Sequence, residues 1–341
     1  MRAALLSLSI CGLMLLTSCS FSSDSSIFKY TYIFNGFLVQ AIVDDEPQHP
    51  VTTTSATSTT TTGTTRTTTK RTTVAVTTEP IIRNYTSAIA YDCSSDEIIF
   101  SDKLHESVSP ASMTKLMTAC VALKYVPSDT VLTVGTEQSL VSPYSSMCYI
   151  TSGQQFTLHD LLTGMLLSSG NDAAYTIAVN TARIESGKSE MTDYEAVEYF
   201  CRLMNEYANE LEMTNSYFAT PDGWDHHQQL TTVYDLLKLT MHSMKYKEIR
   251  EIVSLAEKNV TAITGEVFNW KNSNRLLHES DAYYCPYAVG TKTGSTLNAG
   301  NCLISQFRVN AKDYVIIVTG CPTDESRFEE TLKLFNEFCA D

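Results

Sequence analysis

The sequence predicts an α+β fold in which both ends of the globular region supply strands to one antiparallel sheet flanked by helices. An all-helical region is inserted between the two groups of strands. Two short strand patterns lie close together at 86–91 and 97–101. Helical patterns then predominate, and the last third of the chain returns to strand patterns before an amphipathic helix at 325–338.

The predicted helices of the inserted region begin at residues that can cap a helix. Thr157 and Thr232 are each followed three residues later by an aspartate, a pattern like that of a capping box. Short turns such as 310–313 join the last strands, so antiparallel neighbours are expected there. The further predicted helices are 157–167, 172–184, 194–211 and one opening at Thr232, and the further predicted strands are 130–134, 261–266, 287–295, 300–309 and 314–320.

The first 19 residues have the features of an export signal. Arg2 provides a minimal positive start, and residues 3–16 form an apolar run shorter than the roughly 20 residues of a spanning helix. Small residues precede Cys19, which resembles the lipobox of bacterial lipoproteins, where this cysteine becomes the lipidated N-terminus. An ordinary cleaved signal with a chance cysteine is the alternative. We expect an exported, extracytoplasmic protein that a lipid on Cys19 anchors to the bacterial cell membrane.

Two segments separate the signal from the globular region. Residues 20–44 change from Ser/Asp-rich to apolar and aromatic, which fits either a strand pair or an interfacial segment, and no function is assigned to them. Residues 45–80 are mostly threonine with almost nothing to bury, so a disordered linker is predicted. A flexible coil of about 30 residues spans roughly 30 Å on average, which suits a tether. The globular domain is predicted over 81–341.

Composition excludes several classes of function. The formal net charge of -14 argues against a nucleic-acid partner, because phosphate backbones require a basic surface. The ten cysteines contain no CxxC pair, so neither a zinc site nor a thioredoxin-like site is predicted. Most of the body cysteines are expected to be free and buried. No metal and no cofactor is expected.

The first stretch with catalytic potential is Ser112-Met-Thr-Lys115. A serine and a lysine three residues apart on a helix lie on one face, with Cβ atoms about 5–6 Å apart, so an amine could take the hydroxyl proton. Ser109 is a candidate N-cap and Pro110 a candidate first helical residue, which would place Ser112 in the first turn among free N–H groups. Ser26 and Lys29 show the same spacing, so the pair alone also fits an ordinary surface helix.

Two later triplets join this pair. Ser169-Gly-Asn171 lies between two helical patterns, and Lys292-Thr-Gly294 lies on a predicted strand; each triplet pattern occurs once in the chain. Alone, they fit a turn and a strand. Together and in this order, they match the Ser-x-x-Lys, Ser-x-Asn and Lys-Thr-Gly combination of penicillin-binding proteins and class A β-lactamases.

The surrounding segments resemble the D-alanyl-D-alanine carboxypeptidases of the S11 serine peptidase family, over about residues 85–340. The segments that carry this resemblance are 109–119, 151–174, 218–232 and 289–303. The resemblance implies a β-lactamase/transpeptidase-like fold and removal of the terminal D-alanine from peptidoglycan stem peptides. It also implies β-lactam antibiotics as covalent inhibitors.

The resemblance further implies roles for the motif residues. Ser112 would be the acylated nucleophile and Lys115 its base. Ser169 would relay protons, while Asn171 would orient Lys115 and the substrate amide. The residues implied in substrate binding are Lys292 and Thr293 for the terminal carboxylate, Gly294 for close approach of a peptide, and Ser295, whose N–H would complete an oxyanion hole with that of Ser112.

Two further expectations concern lysine pKa values and a loop. Lys115 must be partly neutral to act as a base, so its pKa should be lowered, whereas the pKa of Lys292 should not be. The family carries a His-Gly-Leu-like sequence where this chain has Asp222-Gly-Trp224. That change leaves the role of the loop open and is expected to lie outside the catalytic set.

Three alternatives compete with the carboxypeptidase hypothesis. A class A-like β-lactamase would need a Glu-x-x-Leu-Asn segment, and none occurs between Ser169 and Lys292. A DD-endopeptidase would use the same residues on a cross-link, so the sequence leaves it open. A catalytically silent peptidoglycan-binding module is disfavoured because all the motif residues are present.

Overall fold

The computed structural model describes three N-terminal strands (residues 15–21, 27–34 and 37–44) and residues 83–340. The N-terminal strands are β1 (Leu15–Phe21), β2 (Ile27–Phe34) and β3 (Phe37–Asp44), and they pair antiparallel in that order. The strand pair considered for residues 20–44 is therefore present as β2 and β3. Most of the predicted signal and the predicted threonine-rich linker lie outside the described residues.

Residues 83–340 belong to a second compact unit. Its elements in chain order are β4 (Ser87–Asp92), β5 (Glu97–Asp102), a 3-10 turn (Ala111–Thr114), α1 (Lys115–Tyr125), β6 (Val131–Thr133), β7 (Gln155–Thr157), α2 (Leu158–Leu167), α3 (Asn171–Ser186), α4 (Asp193–Glu210), α5 (Val233–Ser243), α6 (Lys247–Val253), β8 (Glu257–Thr261), β9 (Val267–Lys271), β10 (Ala288–Thr296), β11 (Gly300–Val309), β12 (Lys312–Cys321) and α7 (Asp324–Phe338).

The central sheet joins the two ends of this unit. Its strand order is β10-β11-β12-β4-β5, and every neighbouring pair is antiparallel. The register of β12 with β4 places Ile316 opposite Ala90 and Ile317 opposite Ile89. The predicted α+β fold, with both ends of the globular region in one sheet and helices inserted between them, is confirmed.

The two faces of the sheet bury different cores because successive strand residues point to opposite sides. Ile89 and Ile317 belong to the large core that includes the inserted helices. Ala90 and Ile316 belong to a smaller core, which α7 covers with Phe328. β10 is an edge strand, so one side of its backbone is left without a strand partner in this sheet.

Local capping explains why most predicted helices form. Thr157 and Thr232 accept backbone hydrogen bonds from the residues three positions later, and Thr192 forms a complete capping box with Glu195. The strand predicted over 261–266 is wrong: Thr261 ends β8, and residues 262–266 form the turn to β9, with Gly265 at a φ of 108°. The seven-residue helix α6 was not predicted because it is too short to show the 3.6-residue spacing of apolar side chains that indicates a helix.

The cysteines and the helices of the described residues add two findings. All eight cysteines within residues 83–340 are free, and all but Cys93 are buried. Among the helices described here, none combines the length and the apolar character that a membrane crossing requires.

Candidate active site

The predicted nucleophile lies on a tight turn and not inside the α-helix. Residues Ala111–Thr114 form a 3-10 turn whose N-cap is Pro110, and α1 begins at Lys115. The predicted Ser109 cap is wrong, because its hydroxyl donates instead to Asp225 Oδ1 at 3.3 Å. Ser112 is half-buried, while Lys115 is fully buried. The turn therefore presents the serine at the surface of the site and the lysine beneath it.

The Lys115 amine has three partners, which together use all three donors of an ammonium group. Nζ lies 2.7 Å from Ser112 Oγ, Asn171 Oδ1 and the carbonyl oxygen of Asp222. Burial lowers the pKa of Lys115 to about 8, although the nearby Asp222 and Asp172 carboxylates oppose this shift. The predicted lowering of this pKa is therefore present in the structure.

The second motif forms the connection between α2 and α3. Ser169 has a φ of 57°, and Asn171 is the first residue of α3. The carboxylate of Asp172 fixes this connection by accepting from the backbone N–H groups of Cys148 and Ile150 at 2.9 and 3.1 Å. Asn171 reaches Lys115, whereas the Ser169 hydroxyl is not among the three hydrogen-bond partners of the Lys115 amine.

The third motif lies on the edge strand β10, directly beside the nucleophile turn. A Cβ atom added at Gly294 would meet Ala111 Cβ at 3.0 Å and the Ser112 backbone nitrogen at 3.3 Å. Glycine is therefore needed here for the approach of β10 to the turn. Thr293 Oγ1 lies 2.5 Å from Ser273 Oγ, which holds this hydroxyl on the strand.

The expectation that the pKa of Lys292 would be unshifted is wrong. Lys292 is only 1% exposed, and its one hydrogen bond is to the neighbouring Thr293 carbonyl at 3.1 Å. Burial, together with the positive charges of Lys115 and Arg327, holds the pKa of Lys292 well below its usual range. The prediction assumed that Lys292 faces water or a carboxylate, whereas its side chain is buried and its amine contacts a backbone carbonyl.

Asp222 also corrects an expectation, because it belongs to the catalytic network. Its carbonyl accepts from Lys115, and its carboxylate Oδ2 accepts from Asn171 Nδ2 at 2.6 Å. Gly223 fixes this loop against the turn: its φ is 88°, and a Cβ there would lie 1.8 Å from Ala111 O. The unusual Asp-Gly-Trp sequence was the available signal, but sequence could not show which way the side chain points.

Arg327 is a second residue that the sequence did not identify. It lies on α7, is mostly buried, and donates from Nη1 to Gly294 O at 3.2 Å and to Ser295 Oγ at 2.8 Å. An arginine on an amphipathic terminal helix is ordinary in sequence. In the structure it places a second cation beside β10, next to Lys292.

The arrangement can support acyl transfer to a serine. It combines a hydroxyl, an amine with a lowered pKa, an open strand edge and two buried cations. Within residues 83–340, no cluster of side chains suits a metal ion.

Comparison with known proteins points to one family. Residues 73–323 match the S11 peptidase family, described as D-alanyl-D-alanine carboxypeptidase. The chain is 25% identical over 262 residues to D-alanyl-D-alanine carboxypeptidase DacF of Bacillus subtilis, covering 76% of this chain and 63% of the relative. It is 30% identical over 260 residues to DacC of Escherichia coli, covering 72% and 59%. The chain thus spans about three fifths of the length of these relatives.

The fold agrees with a solved structure. The crystal structure of the Streptomyces K15 DD-transpeptidase superposes with a TM-score of 0.68 at 27% identity, covering 76% of this chain and 98% of that one. The β-lactamase/transpeptidase-like fold is thereby confirmed. Because the family match covers most of the chain and includes all three motifs, the protein belongs to the S11 family of serine peptidases.

Proposed function

We propose that the protein is a serine-type D-Ala-D-Ala carboxypeptidase that removes the terminal D-alanine from peptidoglycan stem peptides. The observation that carries this proposal is the 2.7 Å contact between the buried Lys115 amine and the Ser112 hydroxyl. It is the geometry that a general base needs to activate a nucleophile. Membership of the S11 family supports the same activity.

The acylation half-reaction follows from these contacts. With a pKa of about 8, roughly a tenth of Lys115 is neutral at pH 7. The neutral amine takes the Ser112 proton, and Oγ forms a bond to the carbonyl carbon of the penultimate D-alanine. The tetrahedral oxyanion would accept from the Ser112 and Ser295 N–H groups. The C–N bond then breaks, the leaving amine receives the proton that Lys115 took from Ser112, passed on through Ser169, and D-alanine departs. Lys115 is then neutral again.

Hydrolysis reverses these proton transfers. A water molecule gives a proton to Lys115 and attacks the ester carbon. The ester C–O bond then breaks, and Ser112 Oγ recovers a proton from Lys115. Ser169 lies two residues before Asn171, in the connection between α2 and α3. We assign to it the proton relay to the leaving amine.

Recognition of the substrate depends on local charge and not on the net charge. Lys292 and Arg327 are buried cations beside β10. The Lys292 amine donates to the Thr293 carbonyl and has no carboxylate partner among the described residues. Arg327 already pairs through Nη2 with Asp324 on α7, but its buried Nε has no partner. A peptide carboxylate arriving there would pair with the Lys292 amine, with Thr293 as a further donor and the Arg327 guanidinium as a second positive charge nearby. The free edge of β10 allows the peptide to bind as an added strand.

The same chemistry predicts covalent inhibition by penicillin. A β-lactam carbonyl would acylate Ser112, but its leaving group stays attached to the acyl chain and hinders water. The charge of the Asp222 carboxylate acts on the base, and both of its oxygens already accept hydrogen bonds, from Asn171 and Trp224 N. It is therefore poorly suited to activate a deacylating water, which favours slow deacylation over a β-lactamase activity.

Labelled penicillin and isolated muropeptides test this proposal. The wild-type protein should form a stable adduct that Ser112→Ala lacks, while Ser26→Ala, which alters the other Ser-x-x-Lys match, should label normally. Mass spectrometry of digested muropeptides should show loss of D-alanine without cleavage of cross-links. Cross-link cleavage would favour the endopeptidase, rapid penicillin turnover the β-lactamase, and absence of any adduct the silent binding module.

For the location we propose export and lipid anchoring through Cys19. The small residues before Cys19 support this proposal, and the threonine-rich residues 45–80 would give the domain reach into the wall. Cys19→Ser should abolish incorporation of a palmitate analogue and release the protein from the membrane fraction. A Cys11→Ser control should change neither, and membrane retention of Cys19→Ser would contradict the proposal.

A further inference from the structure

The Asp222 carboxylate is held in a fixed position at the back of the site. The residue is 1% exposed, and its two oxygens have different donors: Oδ1 accepts from Trp224 N at 3.0 Å and Oδ2 from Asn171 Nδ2 at 2.6 Å. Pro221 O accepts from the Thr118 hydroxyl on α1 at 2.5 Å, and Gly223 packs against the nucleophile turn. Both flanks of Asp222 are thus tied to the elements that carry Ser112 and Lys115.

The contact with Asn171 selects one of two orientations of its amide. An ionised carboxylate only accepts hydrogen bonds, so it requires the NH₂ group of Asn171 to face it. The amide oxygen of Asn171 must then face Lys115 Nζ, which lies 2.7 Å away. In the opposite orientation, two donors would face each other at Lys115, and an oxygen would face the carboxylate.

This orientation suits both protonation states of the base. The charged amine donates to Ser112, Asn171 and the Asp222 carbonyl. The neutral amine keeps two donors for the Asn171 and Asp222 oxygens, and its lone pair points at the remaining partner, the Ser112 hydroxyl. The fixed acceptors therefore aim the lone pair at the proton to be removed.

We propose that the Asp222 side chain is a positioning residue for this acyl transfer, acting through Asn171 on the Lys115 amine. The inference rests on the proposed function, because it assigns a role within the same reaction. Asp222 does not touch the reacting atoms. Its carboxylate fixes the acceptor that aims the base, and its charge offsets part of the desolvation of Lys115.

The charge effect has to be separated from other groups around Lys115. Asp172 on α3 and Cys148 before β7 also face the amine and, like Asp222, raise its pKa, while Lys292 on β10 carries a like charge. Burial keeps the Cys148 thiol neutral by raising its pKa. The two carboxylates differ in their hydrogen bonds. The Asp172 carboxylate accepts from backbone N–H groups, whereas the Asp222 carboxylate accepts from the side chain of Asn171.

The test is the pH dependence of the acylation rate with fluorescent penicillin, measured on the full chain carrying Asp222→Asn. This isosteric change removes the charge and leaves either Asn171 or Trp224 N without its acceptor. The rate should fall about tenfold at its plateau, as expected for one lost hydrogen bond to a charged group. Its pH midpoint should shift down by about one unit, because a neighbouring opposite charge is lost.

Asp235→Asn is the matched control. Asp235 is equally buried and accepts from Asn215 N and Ser216 Oγ, away from Lys115. The Asp235→Asn variant should lower the midpoint temperature of unfolding without moving the pH midpoint of the acylation rate. A double-mutant cycle with Asn171→Ala adds a second readout: Asp222→Asn should slow acylation little further in that background, yet still shift the midpoint.

The outcomes separate this inference from the proposed function. A wild-type protein that penicillin does not label overturns the proposed function, and this inference falls with it. A wild type that labels while Asp222→Asn keeps the wild-type rate and midpoint overturns the inference alone. Fully additive rate losses for Asp222→Asn and Asn171→Ala also overturn it, because a residue acting through Asn171 has no effect on positioning without it.

Discussion

Lys115 Nζ lies 2.7 Å from Ser112 Oγ although the two residues belong to different helical elements, a 3-10 turn and the first turn of α1. The change of helix type lets the serine reach the surface of the site while the lysine stays fully buried. Burial lowers the pKa of Lys115 to about 8, so exclusion of water from the amine is what makes it partly neutral near pH 7.

The first prediction concerns the pH dependence of acylation. Only neutral Lys115 can take the serine proton, so the rate of penicillin acylation should rise about tenfold per pH unit below 8 and level off above it. Lys115→Arg should lose about a thousandfold in rate, since guanidinium stays charged. Lys124→Arg, at an exposed ion pair with Glu210, should behave as wild type. A wild-type rate that is flat from pH 6 to 9 would exclude Lys115 as the base.

The second prediction is that Lys292 opposes folding. Its folded-state pKa is lowered by burial and by two neighbouring cations, so the unfolded chain binds more protons. The resulting penalty is present below the folded pKa and disappears above the unfolded value near 10.4. Lys292→Met should therefore stabilise the protein at pH 7 by about 2 kcal/mol while weakening penicillin acylation.

Chemical denaturation at several pH values tests this directly. The stability difference between Lys292→Met and wild type should shrink as pH rises above 9, and the exposed Lys271→Met should change stability by less than about 0.5 kcal/mol. A destabilised Lys292→Met at pH 7 would show that the buried ammonium has compensating partners.

Much of the fold was predictable because its signals are local. Capping residues such as Thr157 and Thr232, the apolar helix faces and the strand runs at both ends of the domain specify their elements within a few residues. The prediction of a strand over 261–266 failed because the β-branched and apolar residues of this segment resemble a strand. In the structure, Gly265 lies in the turn that joins two strands.

The site was predictable only as far as its motifs extend. Ser112, Lys115 and Asn171 carry recognisable spacings, and the structure brings them within 2.7 Å contacts of one amine. Asp222 and Arg327 enter from a loop and from the last helix, and their roles depend on tertiary packing that no local pattern encodes. The burial of Lys292 is likewise a property of the assembled cleft.

The third prediction compares two glycines that share a left-handed backbone. Gly223 and Gly153 have φ values of 88° and 93°, but only Gly223 would bring a Cβ into contact, 1.8 Å from Ala111 O. Gly153→Ala should cost about 1 kcal/mol of unfolding free energy from backbone strain alone. Gly223→Ala should cost at least about 3 kcal/mol and slow acylation, because the nucleophile turn must move. If urea denaturation gave the same loss of unfolding free energy for both variants, the contact between the new Cβ and Ala111 O would cost no stability.

The fourth prediction concerns the role of Arg327 in recognising the peptide carboxylate. Its Nη1 donates to Gly294 and Ser295 on β10. Its Nη2 pairs with Asp324 on α7, and its buried Nε has no partner. A substrate ending in D-Ala-D-Ala should be cleaved faster than the same peptide with a C-terminal amide, because a charge-assisted hydrogen bond contributes about 1.5–3 kcal/mol.

Arg327→Leu should reduce this discrimination between carboxylate and amide about tenfold in kcat/KM, since an interaction with the carboxylate alone is removed. Arg308→Leu, at an exposed arginine paired with Asp313, is the control and should keep the wild-type ratio. A loss of kcat/KM that is equal for the two substrates would instead mean that Arg327 only supports β10 through Gly294 and Ser295. The ratio therefore separates direct recognition of the carboxylate from a structural role, even if Arg327→Leu is less stable than the wild type.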